Sequence, residues 1–248
     1  MAGSFGTAIG GHMDLRGNKL TWCGHGTWRW ETVEGKRLMI DPWLAGNPAC
    51  PDELKTPGEL DAVLITHGHF DHVGDAVSTV KDSGATSVGI FEIATWLEGK
   101  GCEGGIPMNM GGTVEAAGVK VTMVQAVHSC GILDEHLVEG GDPAGFILEF
   151  PDGLVAYQAG DTDVFGDMAL IGEIYRPDVA ILPVGDHFTM GPRQAAHAVR
   201  LLGVKQVVCG HFGTFPILVG TPAGVRDRVK DLGIDGVEIP DMTPGITL

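Results

Sequence analysis

Apolar and polar positions alternate at period two along much of the first half of the chain. KLTWCGHGTWRW (19–30) and KRLMIDP (36–42) are predicted as strands joined through a turn at Gly35. DAVLIT (61–66) is a short apolar strand that runs directly into a cluster of histidines. HVGDAVSTVKDSG (72–84) is predicted as a helix with a glycine stop, TSVGI (86–90) as a strand and FEIATWLEGKG (91–101) as a helix. GVKVTMVQAVHS (118–129) alternates cleanly and is predicted as a strand ending near His128. Trp22, Trp28 and Trp30 share one parity, so they should face one side and pack in the core.

The second half repeats this grammar. AGFILEF and GLVAYQAGDTD form a predicted hairpin through Asp152-Gly153. A helix over 163–175, a strand over 178–185 and a helix from Pro192 to Gly203 follow. KQVVCGHFG (205–213) is a strand running into a loop, 221–233 a helix and GVEIP (236–240) a last short strand. Strands and helices interspersed through both halves predict two sheets packed together and covered by helices. No linker divides residues 19–248, which are expected to form a single domain, with residues 1–18 as a leader.

Composition narrows the partners. Lys and Arg number 16 against 32 Asp and Glu, a formal charge of −16, the opposite of the balance used to track phosphate backbones. Nucleic acid and anionic membrane are therefore not expected partners; a small-molecule substrate is, and a homo-oligomer is compatible with the sequence. The N-terminus lacks the basic start and apolar core of a signal peptide, and no apolar run reaches the roughly eighteen residues of a membrane span. Five cysteines without a CxxC pair argue against a disulfide framework and for a reducing, cytoplasmic setting. They are expected as small buried hydrophobes.

The chemistry centres on THGHFDHVGD (66–75). It packs His67, His69, Asp71 and His72 into six positions, all ligand types that suit zinc, manganese or iron. In an extended segment His67 and His69 point to one side. Asp71 and His72 follow where the chain turns into a helix, so one loop can feed two ions about 3.5–4 Å apart. Completing such sites needs residues from elsewhere. His128, Asp161 in AGDTD and His211 each follow an apolar strand, and strand ends can gather at one rim.

The order HxHxDH, His128, Asp161 in GDT, His211 resembles the metallo-β-lactamase superfamily. TWCGHGT, LMIDPWLAGNP, MNMGGTVE, GGDPAGFILE, AGDTDVFGDMALIGEIYRPDVAILPVGDHFTMGP and GHFGTFP together resemble bacterial metal-dependent hydrolases similar to L-ascorbate-6-phosphate lactonase, from about Leu20 to Pro216. The resemblance implies an α/β fold, the αββα sandwich of two mixed sheets flanked by helices. It implies that His67, His69 and His128 hold one metal, that Asp71, His72 and His211 hold a second, and that Asp161 bridges them. Two divalent transition-metal ions are expected, zinc first, with manganese or iron as alternatives.

Metal-bound histidines usually donate their second N–H to a carboxylate or carbonyl, a role expected of Asp41, with Thr66 as a further hydrogen-bonding neighbour. His25 and His187, also at strand ends, are candidates for binding substrate, and His187 for stabilising developing charge. Asp71 is the candidate for passing a proton. Phe188, Met190 and Phe212 are candidates for an apolar rim. His136 and His197 are expected to be solvated or structural. With two ions lowering the pKa of a shared water, the expected activity is hydrolysis of a small lactone or ester by hydroxide. The alternatives are a phosphodiesterase or nuclease of the same superfamily, and a metal-binding protein without catalysis. No Gly-x-Ser-x-Gly and no evident cysteine nucleophile compete with attack by water.

Overall fold

The computed structural model describes residues 13–248. The first sheet takes strands β1 (Lys19–Gly24), β2 (Thr27–Glu31), β3 (Arg37–Ile40), β4 (Ala62–Leu64), β5 (Thr86–Ile90) and β6 (Ile106–Met108) in chain order. β1 to β3 are antiparallel, and β3 to β6 run parallel. The second sheet is built from β7 (Thr113–Ala116), β8 (Val119–Gln125), β11 (Ala144–Glu149), β12 (Val155–Gln158), β13 (Val179–Pro183) and β14 (Gln206–Gly210). Its order is β14-β13-β12-β11-β8-β7, antiparallel except for β12, β13 and β14. A separate hairpin, β9 (Ile132–Leu133) and β10 (Leu137–Val138), lies between β8 and β11 in the chain.

Helices α1 (Phe70–Val73), α2 (Ala76–Ser83) and α3 (Phe91–Gly99) accompany the first sheet, and α4 (Met168–Tyr175), α5 (Pro192–Leu202) and α6 (Pro222–Asp231) the second. The layering is that of an αββα sandwich of two mixed sheets flanked by helices.

The period-two rule sorts the core. On β13, Val179 and Ile181 join the cluster between the sheets, while Ala180 and Leu182 join the cluster under α4, α5 and α6. β14 divides in the same way, Val208 inward and Val207 with Cys209 outward. Strands buried on both faces read as unbroken apolar runs, as these do. The α5 helix turns Ala195, Ala198, Val199 and Leu202 inward, begins with Pro192 and stops at Gly203 in the left-handed conformation (φ 66°).

Several expected elements need correction. KLTWCGHGTWRW is a tight hairpin instead of one strand. His25 takes a left-handed turn (φ 55°) between β1 and β2, so Trp22 and Trp28 become cross-strand partners stacked 5.7 Å apart. All three tryptophans are buried, as core packing requires. Such an aromatic pair adds about 0.5–1.5 kcal/mol beyond the area it buries. The helix expected over 72–84 is split into α1 and α2. The split lets Asp75 Oδ2 accept the backbone N–H groups of Leu44 and Ala45 at 2.5 and 3.0 Å. The last strand reduces to a single bridge, Gln206 to Glu238. β6 and β7 were not expected, nor was the C-terminal tail that bridges Thr247 to Thr21 beside β1.

Residues 13–18 of the expected leader are among those described. Met13 and Leu15 are buried in the main core, and Asn18 is buried with its amide on the Leu15 carbonyl and the Asp152 carboxylate. Residues 13–18 therefore pack with the domain; the rest of that leader, with His12, lies outside the described residues. All five cysteines are free and buried. No helix among the described residues is long and apolar enough to cross a membrane.

Candidate metal centre

Parallel strands end at a common rim, and the histidines sit on the loops that leave it. After β4, Thr66 to His69 stay extended, and His69 caps α1 with its carbonyl accepting the N–H groups of His72 and Val73. His67 Nε2 and His69 Nδ1 face each other at 3.1 Å, the shared side expected of residues two apart. β8 ends at Gln125, short of His128. What carries His128 to the site is the loop after β12: Val127 N–H donates to Thr162 Oγ1 at 3.0 Å, and Asp163 N–H to the Val127 carbonyl at 3.0 Å. His128 Nε2 then lies 3.2 Å from His69 Nδ1.

Asp161 stands at the centre. Its Oδ2 lies 2.9 Å from His211 Nε2, 3.3 Å from His72 Nε2, 3.7 Å from His128 Nε2 and 3.9 Å from His67 Nε2. Ligand atoms of His67, His69 and His128 lie within 4.8 Å of one another, and so do those of His25, Asp71, His72 and His211. The structure thus gathers the seven expected ligands into one cluster: His67, His69 and His128 form one group, Asp71, His72 and His211 with His25 another, and Asp161 lies against both.

This donor set fits metal ions. Nε2 of His72 and both ring nitrogens of His211 are buried without a hydrogen-bond partner. His211 Nε2 is close to Asp161 but not aligned for a hydrogen bond. Buried polar atoms rarely stay unpaired, because each loses its water without compensation. Where the nitrogens of His67, His69 and His128 face one another, lone pairs meet unless protons or a cation intervene. Two ions held by His67, His69 and His128, and by Asp71, His72 and His211, with Asp161 between them, would satisfy Nε2 of His72 and of His211 and separate the facing nitrogens.

The outward nitrogens of His72 and His67 are also held. His72 Nδ1 donates to Asp41 Oδ2 at 2.8 Å. Asp41 in turn accepts the Thr66 backbone N–H at 2.8 Å and the Thr66 hydroxyl at 2.6 Å, and the same hydroxyl lies 3.0 Å from His67 Nδ1. Asp41 is near His67 and His72 as a third acidic neighbour, but its oxygens are spent on Nδ1 and Thr66, on the far side from Asp161. It and Thr66 orient imidazoles.

His25 is not placed where it could bind substrate. It is fully buried; Nε2 lies 2.9 Å from Asp71 Oδ2 and Nδ1 lies 2.9 Å from Thr214 Oγ1. Its carbonyl accepts the His211 N–H at 3.0 Å, which fixes the end of β14 against the first hairpin. His25 therefore positions Asp71 and His211. His187 is exposed, with no ring hydrogen bond, and packs edge-on against Phe188. It is not brought into the cluster, although its loop is tied to the Asp161 loop by the Met190 N–H on the Thr162 carbonyl. Of the expected apolar rim, Phe188 is exposed and Phe212 half-buried, but Met190 is fully buried in the core and cannot contribute.

Electrostatics without an ion are polarised. Burial would raise the Asp71 carboxyl, but the hydrogen bond from His25 and the nearby His72 outweigh it and hold it at about 2. Burial likewise opposes the charge on Asp161, yet His211 and His72 hold it well below the usual range. Burial lowers His25 to about 4 and His67 well below 6.5. His72 moves the other way: burial is outweighed by the carboxylates of Asp161 and Asp41, which raise it well above 6.5.

Thr214, Ser129 and Gly26 were not expected from the sequence. Ser129 Oγ lies 3.1 Å from His69 Nε2, and its place beside His128 was a usable signal. Thr214 lies 189 residues from the His25 ring it holds, and nothing local marks it. Gly26 has no room for a side chain, since a Cβ there would overlap the His72 ring. His25, Asp41 and His211 all have positive φ (55°, 51° and 55°), a strained backbone of the kind that gathers at functional sites.

Comparison with known proteins agrees with this geometry. Residues 36–212 match the beta-lactamase superfamily domain. A UPF0173 metal-dependent hydrolase of Rubrobacter xylanophilus is 49% identical over 233 residues, 93% of this chain and 96% of that one. One from Methanopyrus kandleri is 45% identical over 92% of this chain and 97% of its own. Among solved structures, Igni18, a metallo hydrolase from Ignicoccus hospitalis, is 37% identical with a TM-score of 0.81, covering 93% of this chain and 97% of that one. An isothiocyanate hydrolase from Delia radicum gut bacteria shares the fold at 21% identity, with a TM-score of 0.70 over 93% of this chain and 98% of its own.

Proposed function

The chain belongs to the beta-lactamase superfamily, among its metal-dependent hydrolases, and from that membership we propose that it hydrolyses a small lactone or ester with two divalent metal ions. The observation that carries this reading is the convergence of four imidazole Nε2 atoms on one carboxylate oxygen of Asp161. Zinc is the first expectation for the ions, ahead of manganese or iron, because imidazole with carboxylate suits it well.

Ions held there would supply an activated water and polarise the scissile carbonyl. The protein's own groups do the rest. Asp161 keeps its charge between the two histidine groups. Asp71 stays ionised under the His25 hydrogen bond. It accepts a hydrogen bond from the attacking water and relays its proton to the departing alkoxide, so that water and ester give acid and alcohol. To His187, exposed on the loop tied to Thr162, we assign the steadying of the negative oxygen of the tetrahedral intermediate. The acidic balance of the chain disfavours the nuclease reading.

The test is a screen of lactones, carboxylic esters, phosphodiesters and nucleic acid with protein stripped by chelator and reloaded with each metal. Metal-dependent lactone or ester hydrolysis, abolished in His69→Ala together with metal content, is the expected result. His187→Ala should keep its metal and lose about a hundred- to thousand-fold in kcat. Turnover confined to phosphodiesters or nucleic acid would overturn the lactone and ester reading. Metal binding with no turnover of any class would overturn the hydrolytic one.

A further inference from the structure

Six segments surround the rim that carries the cluster: 41–50, 65–75, 125–143, 159–167, 184–191 and 211–221. Not one Lys or Arg falls in any of them, while Asp or Glu occurs in all but the last. Lys100 is committed to Asp134 at the tip of the β9–β10 hairpin, at 2.6 Å, and Arg193 stands exposed at the second residue of α5. A phosphate, sulfonate or carboxylate on a substrate is normally met by Arg or Lys. Here it would meet carboxylates.

The same segments also expose apolar side chains. Among the described residues, the exposed large hydrophobic side chains other than Val33, Leu170 and Ile174 lie on these segments or, for Phe91, directly after β5 at the same end. An exposed apolar patch around a polar site marks a surface built for a ligand. Its best-ordered part is an aromatic wall. Phe70, 54% exposed between His69 and Asp71, meets Trp43 edge-on with centroids 5.7 Å apart. Trp43 continues to Phe215 at 6.1 Å, and both meet the His25 ring edge-on, at 5.3 and 5.7 Å. The wall therefore stands on the Asp71 side of the centre, with Phe70 open to solvent.

We infer that the substrate is a neutral molecule with an apolar body, an aliphatic or aromatic acyl group laid against Phe70 and Phe215, and that phosphorylated and other anionic substrates are discriminated against. This rests on the hydrolytic reading above and gives it a substrate class. Chain length is the natural measure. Burying one more methylene against such a wall raises kcat/KM by up to about fourfold.

The test uses the metal-loaded full chain with neutral aryl esters from acetyl to octanoyl, and with esters of matched length ending in a sulfonate. Binding of octanamide and of its sulfonate-ended counterpart is measured by calorimetry alongside. The expected result is a rise in kcat/KM with chain length and at least a tenfold penalty for the sulfonate. Phe70→Ala and Phe215→Ala should flatten the rise with metal content unchanged, and Arg193→Ala should leave it as it was. A flat series, a preference for the sulfonate, or a preference that depends on Arg193 overturns the inference while leaving the hydrolase reading intact. If no ester is turned over, the amides still decide: tighter binding of octanamide supports the apolar preference, and equal or tighter binding of the anionic amide overturns it.

Discussion

Nε2 of His25 lies 2.9 Å from Oδ2 of Asp71, across 46 residues of sequence. In its resting, ionised state Asp71 accepts, so Nε2 carries the proton and Nδ1 accepts from the Thr214 hydroxyl, 2.9 Å away. The imidazole is thereby held in one tautomer and one orientation, and it aims Asp71 at the group of His72 and His211.

Removing that support should loosen one ion and spare the other. His25→Ala is expected to weaken the metal on the Asp71 side by about 10–100-fold, the usual cost of losing an outer partner of a ligand. The ion held by His67, His69 and His128 should remain. Thr214→Val, which leaves His25 in place, should have a smaller effect in the same direction. Competition with a graded series of chelators measures both, and equal losses at the two sites would refute the assignment.

Asp161 touches both groups, so its loss should not be selective. Asp161→Asn keeps the shape but removes the charge that four imidazoles face. Metal content should fall at both sites and turnover by orders of magnitude, while circular dichroism stays native. Unchanged stoichiometry and turnover would show that Asp161 is not the bridge.

Gly26 offers a test of packing as opposed to ligation. Adding a single methyl in Gly26→Ala drives a Cβ into the His72 ring, which is pinned behind by Asp41. A displaced ring loses its alignment on Asp161, and overpacking of this kind costs about 1–3 kcal/mol. A lowered Tm together with weaker metal binding is expected. Wild-type metal affinity in this variant would mean that the hairpin gives way and His72 does not.

Metal uptake should release protons in a predictable way. His72 is raised well above 6.5 by Asp161 and Asp41 and so carries a proton on the metal-free protein at neutral pH. His67 is lowered by burial and carries none. An ion must therefore displace the His72 proton, and affinity should rise as pH is raised through the neutral range. Calorimetric titration near pH 7 in buffers of different ionisation enthalpy reads this directly. Uptake without proton release would show that His72 is already neutral.

How much of this was legible beforehand depends on the range of the signal. His67, His69, Asp71 and His72 crowd into six positions, and that density is itself local information. His128, Asp161 and His211 are each an ordinary polar residue after an apolar strand; their order, matched to a known family, made them candidates. The alternation on β8 and the doubly buried runs of β13 and β14 announced strands, because side-chain period is a local property of the chain. The short strands β6 and β7 carry too few alternating residues to stand out, and the bridge from Thr247 to Thr21 depends on a partner more than two hundred residues away.

The alternation of side chains, the density of ligand types in 67–72 and the resemblance to a known superfamily sufficed for the sandwich class, the ligand chemistry and the acidic balance of the chain. Which side of each ligand faces the centre, and what stands behind it, came from the fold. It turned His25 from a substrate contact into the support of Asp71, left His187 at the surface, buried Met190 and set Phe70, Trp43 and Phe215 into one wall. The physical reason is that a residue's role is fixed by the group its side chain meets. The His25 turn reverses the chain between two tryptophans, and the left-handed backbone at His25, Asp41 and His211 is strain that the packed sheets impose and no local pattern records.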